Sequence, residues 1–128
     1  MARRGGKLAV VHITRPEGSY FDLPGGGVEP GETDEQALVR EFGEETGLAV
    51  RPLQLLARAS QFMVTTEGRP VNNRSALFEA EVTGDEPGLK IEADHELRWL
   101  DPVEAVSVLR HDSHAWAVTC WLRTLRAR

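Results

Sequence analysis

The sequence predicts an α/β sandwich, folded as a single domain over residues 1–128. Three observations carry this. Short β-branched or alternating apolar stretches, bounded by Gly and Pro, recur along the chain as strands do. Among them lies one capped segment of helical periodicity. Two further helical segments follow the last strand, so strands surround one helix and end against others. The length fits one domain, and a 41% hydrophobic content suffices for a real core.

Leu8 to Thr14 is apolar and β-branched, a buried strand, and Arg15-Pro16-Glu17-Gly18 is a turn. Tyr20 to Leu23 resumes a short strand into the Pro24-Gly25-Gly26-Gly27 loop. Thr33 or Asp34 caps a helix to about Thr46, with Gly47 at the usual terminating position. Leu38, Val39 and Phe42 form its apolar arc. Leu48 to Thr65 holds one long strand or two shorter ones, interrupted near Pro52. Glu67 to Pro70 turns the chain, Ala76 to Val82 alternates as a strand, and Thr83 to Gly88 is a loop. Glu96 to Leu100 is another strand. Asp101-Pro102 caps and starts a helix through about Leu109. Asp112 or Ser113 starts the last helix, in which Val118, Trp121, Leu122 and Leu125 share a face.

A net charge of −5 argues against nonspecific binding of nucleic-acid polymers or acidic membranes. A small polyanion whose charge is offset by a cation remains compatible. The one cysteine, Cys120, excludes an internal disulfide framework and suits a reducing cytoplasm. No apolar run reaches the length of a membrane span, and Lys7 to Val11 is too short for a signal-peptide core.

The chemistry concentrates between Gly26 and Leu48. A glycine-rich turn leads to a helix carrying Glu41, Glu44 and Glu45 on the arc beside the apolar one. Like charges at i,i+4 cost roughly 0.2–0.5 kcal/mol each, and carboxylates at the margin of a core are poorly solvated. A divalent cation relieves both penalties, since hard cations take oxygen ligands from carboxylates and substrate phosphates. A solvated acidic face with an Arg40–Glu44 ion pair is the bland alternative. Gly26, five residues, Glu32, seven residues, then Arg40-Glu41-Phe42-Gly43-Glu44-Glu45-Thr46-Gly47-Leu48 resembles a complete Nudix box, with nine specified positions over 23 residues. Phe42 stands where an aliphatic residue is commoner. Leu23-Pro24-Gly25-Gly26 before the box and His95 to Leu100 after it also resemble the Nudix family, so the likeness spans nearly the whole chain.

The resemblance implies an α/β/α sandwich with a mixed central sheet, and divalent-metal-dependent hydrolysis of a phosphoanhydride bond in a nucleoside diphosphate derivative. Mg²⁺ is the implied ion and Mn²⁺ a substitute. Glu44 and Glu45 are the implied ligands, joined by the Gly25 carbonyl. Glu41 is a ligand or the base that activates water, Arg40 holds Glu41, and Glu32 pairs with Arg40. A further carboxylate for a second metal or for the base falls on Glu92, Asp94 or Glu96. Relatives usually carry an additional strand before the one matching Leu8–Thr14. Only seven residues precede Leu8, so either the strand is absent, or the chain's start is late, or a partner covers the edge; a homodimer is the expectation.

Other residues have weaker claims. Tyr20 or Phe62 can stack on a base. Arg15, Arg58 and Arg74 can meet phosphate, although a solvated arginine is the better expectation for each. His111 and His114 form H-x-x-H at a helix start, where capping or surface exposure outweighs zinc, since only two ligands are visible. His12 in its apolar strand is a core or cleft histidine, and Trp99, Trp116 and Trp121 are mostly core. A nucleotide sensor of the same fold is the alternative, but it predicts loss of box carboxylates, and none is lost. An isomerase of the isopentenyl diphosphate type calls for a catalytic cysteine, whereas Cys120 sits in the last helix. For the substrate, the proline, tyrosine and other signatures of ADP-ribose, dinucleoside polyphosphate, NADH and coenzyme A subgroups are not in place. Nucleoside triphosphates, including oxidised ones, and small nucleoside diphosphate derivatives remain.

Overall fold

The computed structural model describes residues 1–127. Leu8, Ala9, Val10 and Val11 are all fully buried, so the strand Lys7–Arg15 (β2) is covered on both faces and forms the spine of the fold. One edge of β2 pairs with His95–Leu100 (β6), with Leu8 opposite Leu100 and Ile13 opposite His95. The other edge is shared in tandem by Arg3–Arg4 (β1) and Gly18–Asp22 (β3). Leu48–Val64 (β4) and Pro70–Asp85 (β5) make a second, two-stranded sheet. The ladders between these strands are antiparallel, and parallel pairing is confined to the bridges Ala2–Ala80 and Phe21–Leu109. That mixture joins the two sheets: Ala9 N–H donates to Ala2 O, and Ala80 N–H to Met1 O, each at 2.9 Å.

Helix Asp34–Thr46 (α1) covers one face, packing Phe42 with Ala9, Leu48, Val50 and Ala80. Helices Pro102–Val108 (α2) and Asp112–Ala127 (α3) cover the other, where Ala105, Val118 and Trp121 meet Leu8, Val10 and Leu77. The result is the α/β/α sandwich. Helix α1 starts in a capping box: Gln36 N–H donates to Thr33 Oγ1 at 3.1 Å and Thr33 N–H to Gln36 Oε1 at 2.9 Å. It ends at Gly47, whose φ of 74° closes a bond back to Gly43. Among the described residues no helix is long and apolar enough to cross a membrane.

Several expectations need correction. The segment before β2 does pair, as two-residue β1 and the Ala2–Ala80 bridge, so the edge thought to need a partner is occupied by the chain itself. Of the two readings of the span from Leu48, the one long strand holds, to Val64, and only the interruption near Pro52 needs correction, since register shifts on either side absorb it. The strand expected at Ala76–Val82 runs from Pro70 to Asp85; its polar first half follows β4 without an apolar face to announce it. Val39 is 40% exposed, because α1 turns its Ala37, Phe42 and Glu45 side inward. Trp116 is 55% exposed, whereas Trp121 is buried and donates its indole N–H to Glu79 at 2.7 Å.

Candidate functional site

Helix α1 buries a carboxylic acid. Glu45 lies three residues after Phe42, on the margin of the inward face, and is 5% exposed. The loop leaving β3 closes over it, and Gly25 N–H donates to Glu45 Oε1 at 3.4 Å. Burial, followed by the neighbouring Glu41 carboxylate, pushes the Glu45 pKa up from 4.5 to about 9, against the pull of the Gly25 amide. The fold thus presses two carboxylates into one poorly hydrated place.

The loop glycines differ in need. Gly25 has a φ of +153°, which L side chains rarely adopt. A Cβ on Gly26 would lie 2.6 Å from Glu41 Cδ, so the bare backbone there makes room for that carboxylate. At Gly27 nothing lies close enough to oppose a side chain.

One guanidinium gathers the rest. Arg40 donates to both oxygens of Glu32, from Nε at 2.8 Å and from Nη2 at 3.0 Å. It also donates from Nη1 to Glu41 at 2.7 Å and Glu44 at 3.3 Å, and from Nη2 to the Gly27 carbonyl at 2.9 Å. Helix and loop are therefore tied through one side chain. The hydrogen bonds from Arg40, then the Glu29 amide, hold the Glu32 pKa down at about 2, and hydrogen bonding to Glu32, then to Glu41, raises that of Arg40. Glu41 and Glu44 both lean on a guanidinium that Glu32 already neutralises, and Glu45 crowds Glu41 from the buried side. With the crowded Glu41–Glu45 pair and the Gly26 gap facing it, this all-oxygen donor set fits a hard divalent ion.

A second acidic group lies where residues 91–92 dock on α1: the Ile91 and Glu92 amides donate to Glu44 O at 2.9 and 3.1 Å. Donor atoms of Glu92, Asp94 and His95 lie within 4.8 Å of one another. Asp94 bonds His95 Nδ1 at 2.7 Å and pairs with Arg15; both contacts lower its pKa, that with His95 most. Glu96 is set apart, exposed and bonded to Arg98 at 2.8 Å.

A cavity of about 410 Å³ opens on the other side of the loop, lined in part by Asp22, Gly26, Arg74, Ser75, His111 and His114. Of the capping or surface role expected for His111 and His114, surface exposure does not hold for His111. His111 is 8% exposed, its Nε2 is 3.9 Å from Asp22 Oδ1, and its ring meets that of His114 at 5.0 Å. Its carbonyl accepts the first amides of α3. His114 Nε2 lies 3.1 Å from Ser75 Oγ. Burial lowers both imidazole pKa values, that of His114 to about 4 with His111 adding to the effect. Arg74 lines this cavity. Tyr20 does not, because the Arg110 guanidinium covers its ring at 3.9 Å, and Phe62 is 82% exposed away from it. Arg15 is tied to Asp94, and Arg58 lies 3.9 Å from Asp34. His12 stacks on Phe21 at 4.6 Å. Asp22, Ser75 and Arg110 carry no local sequence signal; Arg110 binds both oxygens of Asp22, at 2.6 and 3.2 Å, across 88 positions.

A sequence model described as NUDIX domain matches residues 1–122. The chain therefore belongs to the Nudix hydrolase family, whose members generally use a divalent metal. It is 31% identical to an RNA pyrophosphohydrolase of Xanthomonas axonopodis pv. citri, over 92% of this chain and 65% of that protein. It is 49% identical to an ADP-ribose pyrophosphatase of Methanocaldococcus jannaschii, over 38% of this chain and 29% of that protein. A solved NUDIX hydrolase of Nitrosomonas europaea superposes with a TM-score of 0.77 at 23% identity, covering 96% of this chain and 84% of that one, a likeness of fold. The chain thus spans less than two thirds of the length of both named pyrophosphatases.

Proposed function

We propose that this chain, as one domain, hydrolyses a phosphoanhydride bond in small nucleoside diphosphate derivatives, nucleoside triphosphates foremost, with Mg²⁺ as the natural ion and Mn²⁺ as a substitute. The observation that carries the reading is the buried Glu45 carboxyl crowded against Glu41 beneath the glycine loop. An interior site for two carboxylates costs stability unless something compensates it.

Glu41, Glu44, Glu45 and the Gly25 carbonyl would hold the cation. When bound, it supplies charge neutralisation for the diphosphate oxygens and acidifies a coordinated water. Arg40 fixes Glu41 and Glu44, and Glu32 fixes Arg40, so the carboxylates are oriented before substrate arrives. Glu41 or Glu92 takes the proton of the attacking water as its oxygen bonds to phosphorus. The bridging P–O bond breaks, and the bridging oxygen leaves with the second phosphate.

The relatives' names share the pyrophosphate bond but differ in what flanks it. The acidic balance of this chain favours a small nucleotide over an RNA polymer. A reducing cytoplasm suits the lone Cys120. A homodimer remains part of the reading, with the apolar Phe62 and Val64 exposed on the β4–β5 hairpin available to a second copy; a monomer by light scattering across micromolar concentrations would remove it.

The test is a phosphate-release screen with Mg²⁺ over nucleoside triphosphates, nucleotide sugars, ADP-ribose, dinucleoside polyphosphates and a 5′-triphosphorylated RNA, coupled to pyrophosphatase or phosphatase, with Glu45→Gln alongside. A hit lost in the variant supports hydrolysis and names the class. No turnover anywhere on the panel, with nucleotide still bound, would overturn the reading.

A further inference from the structure

Strand β4 has an open outer edge. It runs for 17 residues, beyond the usual strand length of about 3–10, and pairs with β5 on one side only. Among the described residues, no backbone–backbone hydrogen bond outside the β5 ladder involves Leu53 to Val64. Native sheets blunt such an edge with Lys, Pro or a bulge. From Ala57 to Val64 this one has none of them. Arg58 is the only charged side chain in that stretch, and Phe62 and Val64 stand exposed on it. One face of the strand is anchored: Ala57 and Ala59 pack on the α3 cluster, and Gln61 Oε1 accepts from Ser113 N–H at 3.1 Å and from its hydroxyl at 2.8 Å. Alternation then turns Arg58, Ser60, Phe62 and Val64 to the other, exposed face. β5 is better protected, since it starts at Pro70 and carries the polar run Asn72 to Ser75.

We propose that this edge is a dimer interface: β4 pairs antiparallel with β4 of a second copy about a two-fold axis at Ser60, joining two hairpins into one four-stranded sheet. The inference rests on the homodimer reading above and deepens it by naming the surface. A two-fold pairing occupies the β4 edge of both copies and closes, so no filament grows from it. The side chains complement each other in this register. Phe62 lies across from Arg58 of the second copy, an arginine on an aromatic face is attractive, and the contact occurs twice. The two Arg58 side chains stay four residues apart along the pair, roughly 13 Å, where salt screens them. A register centred on Arg58 would instead set the two arginines directly opposite, which is repulsive. Within one copy Arg58 reaches Asp34 at 3.9 Å, an exposed pairing weak enough to give up. The ladder also reaches the cavity. Ser60 stands opposite Arg74 and Ala59 opposite Ser75, and both β5 residues line it, so the second copy braces that wall from behind.

The experiment is light scattering of the whole chain across micromolar concentrations, with a crosslink to report the axis. The wild-type protein should be a dimer. Residues that face each other across an antiparallel pair stand about 4.5–5.5 Å apart at Cα, within disulfide reach. Ser60→Cys in a Cys120→Ser background should therefore give a covalent dimer on mild oxidation, and Ser107→Cys on α2 in the same background should not. Phe62→Arg should weaken the dimer by at least about tenfold, because like charges then oppose each other twice. Adding Arg58→Glu to that variant should restore it. A monomeric wild type would overturn the interface and the homodimer reading together, and leave hydrolysis to the phosphate-release screen. Growth beyond a dimer would overturn the closed pairing. A dimer that does not crosslink at position 60, that persists in Phe62→Arg, or that Arg58→Glu does not restore would overturn this edge and register while the homodimer stands.

Discussion

At the scale of the residue, Glu45 and Glu32 are opposites produced by one helix. Glu45 is buried beside another acid and keeps its proton to about pH 9, whereas Glu32 is forked to Arg40 and gives it up near pH 2. The linkage signs follow. Between 4.5 and about 9 the native protein holds a proton on Glu45 that the unfolded chain has released, so in metal-free protein this residue makes stability fall as pH rises through that window. Glu45→Gln should flatten this limb in metal-free urea melts from pH 5 to 9 and remain folded, while turnover with Mg²⁺ falls by roughly a hundredfold or more. Wild-type turnover in the variant would contradict the ligand role. Glu32 acts the other way. Its pairing contributes above pH 4.5 and is lost as pH falls toward 2. Glu32→Gln should therefore lose stability at neutral pH but little below pH 2, and melts that keep the wild-type acid slope would deny that Arg40 is its anchor.

At the scale of the element, the box helix and its loop show what a sequence discloses and what it withholds. The boundaries of α1 were legible because Thr33, Gln36 and Gly47 act within their own neighbourhood. Which loop glycine matters was not, because the answer lies with Glu41, fifteen positions after Gly26 and brought beneath it only by the fold. Gly26→Ala should displace that carboxylate and cut activity sharply, with a modest change in melting temperature. Gly27→Ala, which meets open space, should leave turnover near wild type. Parallel kinetics on the two variants decide it: equal effects would mean that general loop stiffness governs the site. The same distinction explains the misjudged elements. The first half of strand β5 holds the polar run Asn72-Asn73-Arg74-Ser75, where no apolar face is needed because β4 supplies the ladder. Val39 reads as core by type, yet the inward face of α1 is set by the β3 loop, which covers Glu45 instead.

At the scale of the whole molecule, the two helical layers do different work and must stay in register. Helix α1 carries the carboxylates; α3 and the turn before it carry the histidines of the cavity; β3 runs into the glycine loop. The link is Asp22, gripped by Arg110 while the Arg110 amide donates to Phe21 O at 2.9 Å and Leu109 bridges Phe21. The box motif was readable because it is contiguous; this link joins residues 88 apart and follows only from packing. The pair is half-exposed on its arginine side, so solvent weakens it and a coupling of about 0.5–1 kcal/mol is expected for stability. Its effect on the site should be larger, since Asp22 lies three residues before Gly25 and misplacement of the loop is felt by both Glu45 and the cavity. A double-mutant cycle of Asp22→Asn and Arg110→Ala, read in urea melts and in kcat/KM, should show the single variants losing similar activity and the double variant little more than either. Additive losses would mean that the two helical layers reach the loop independently, and that Asp22 and Arg110 serve it through separate contacts.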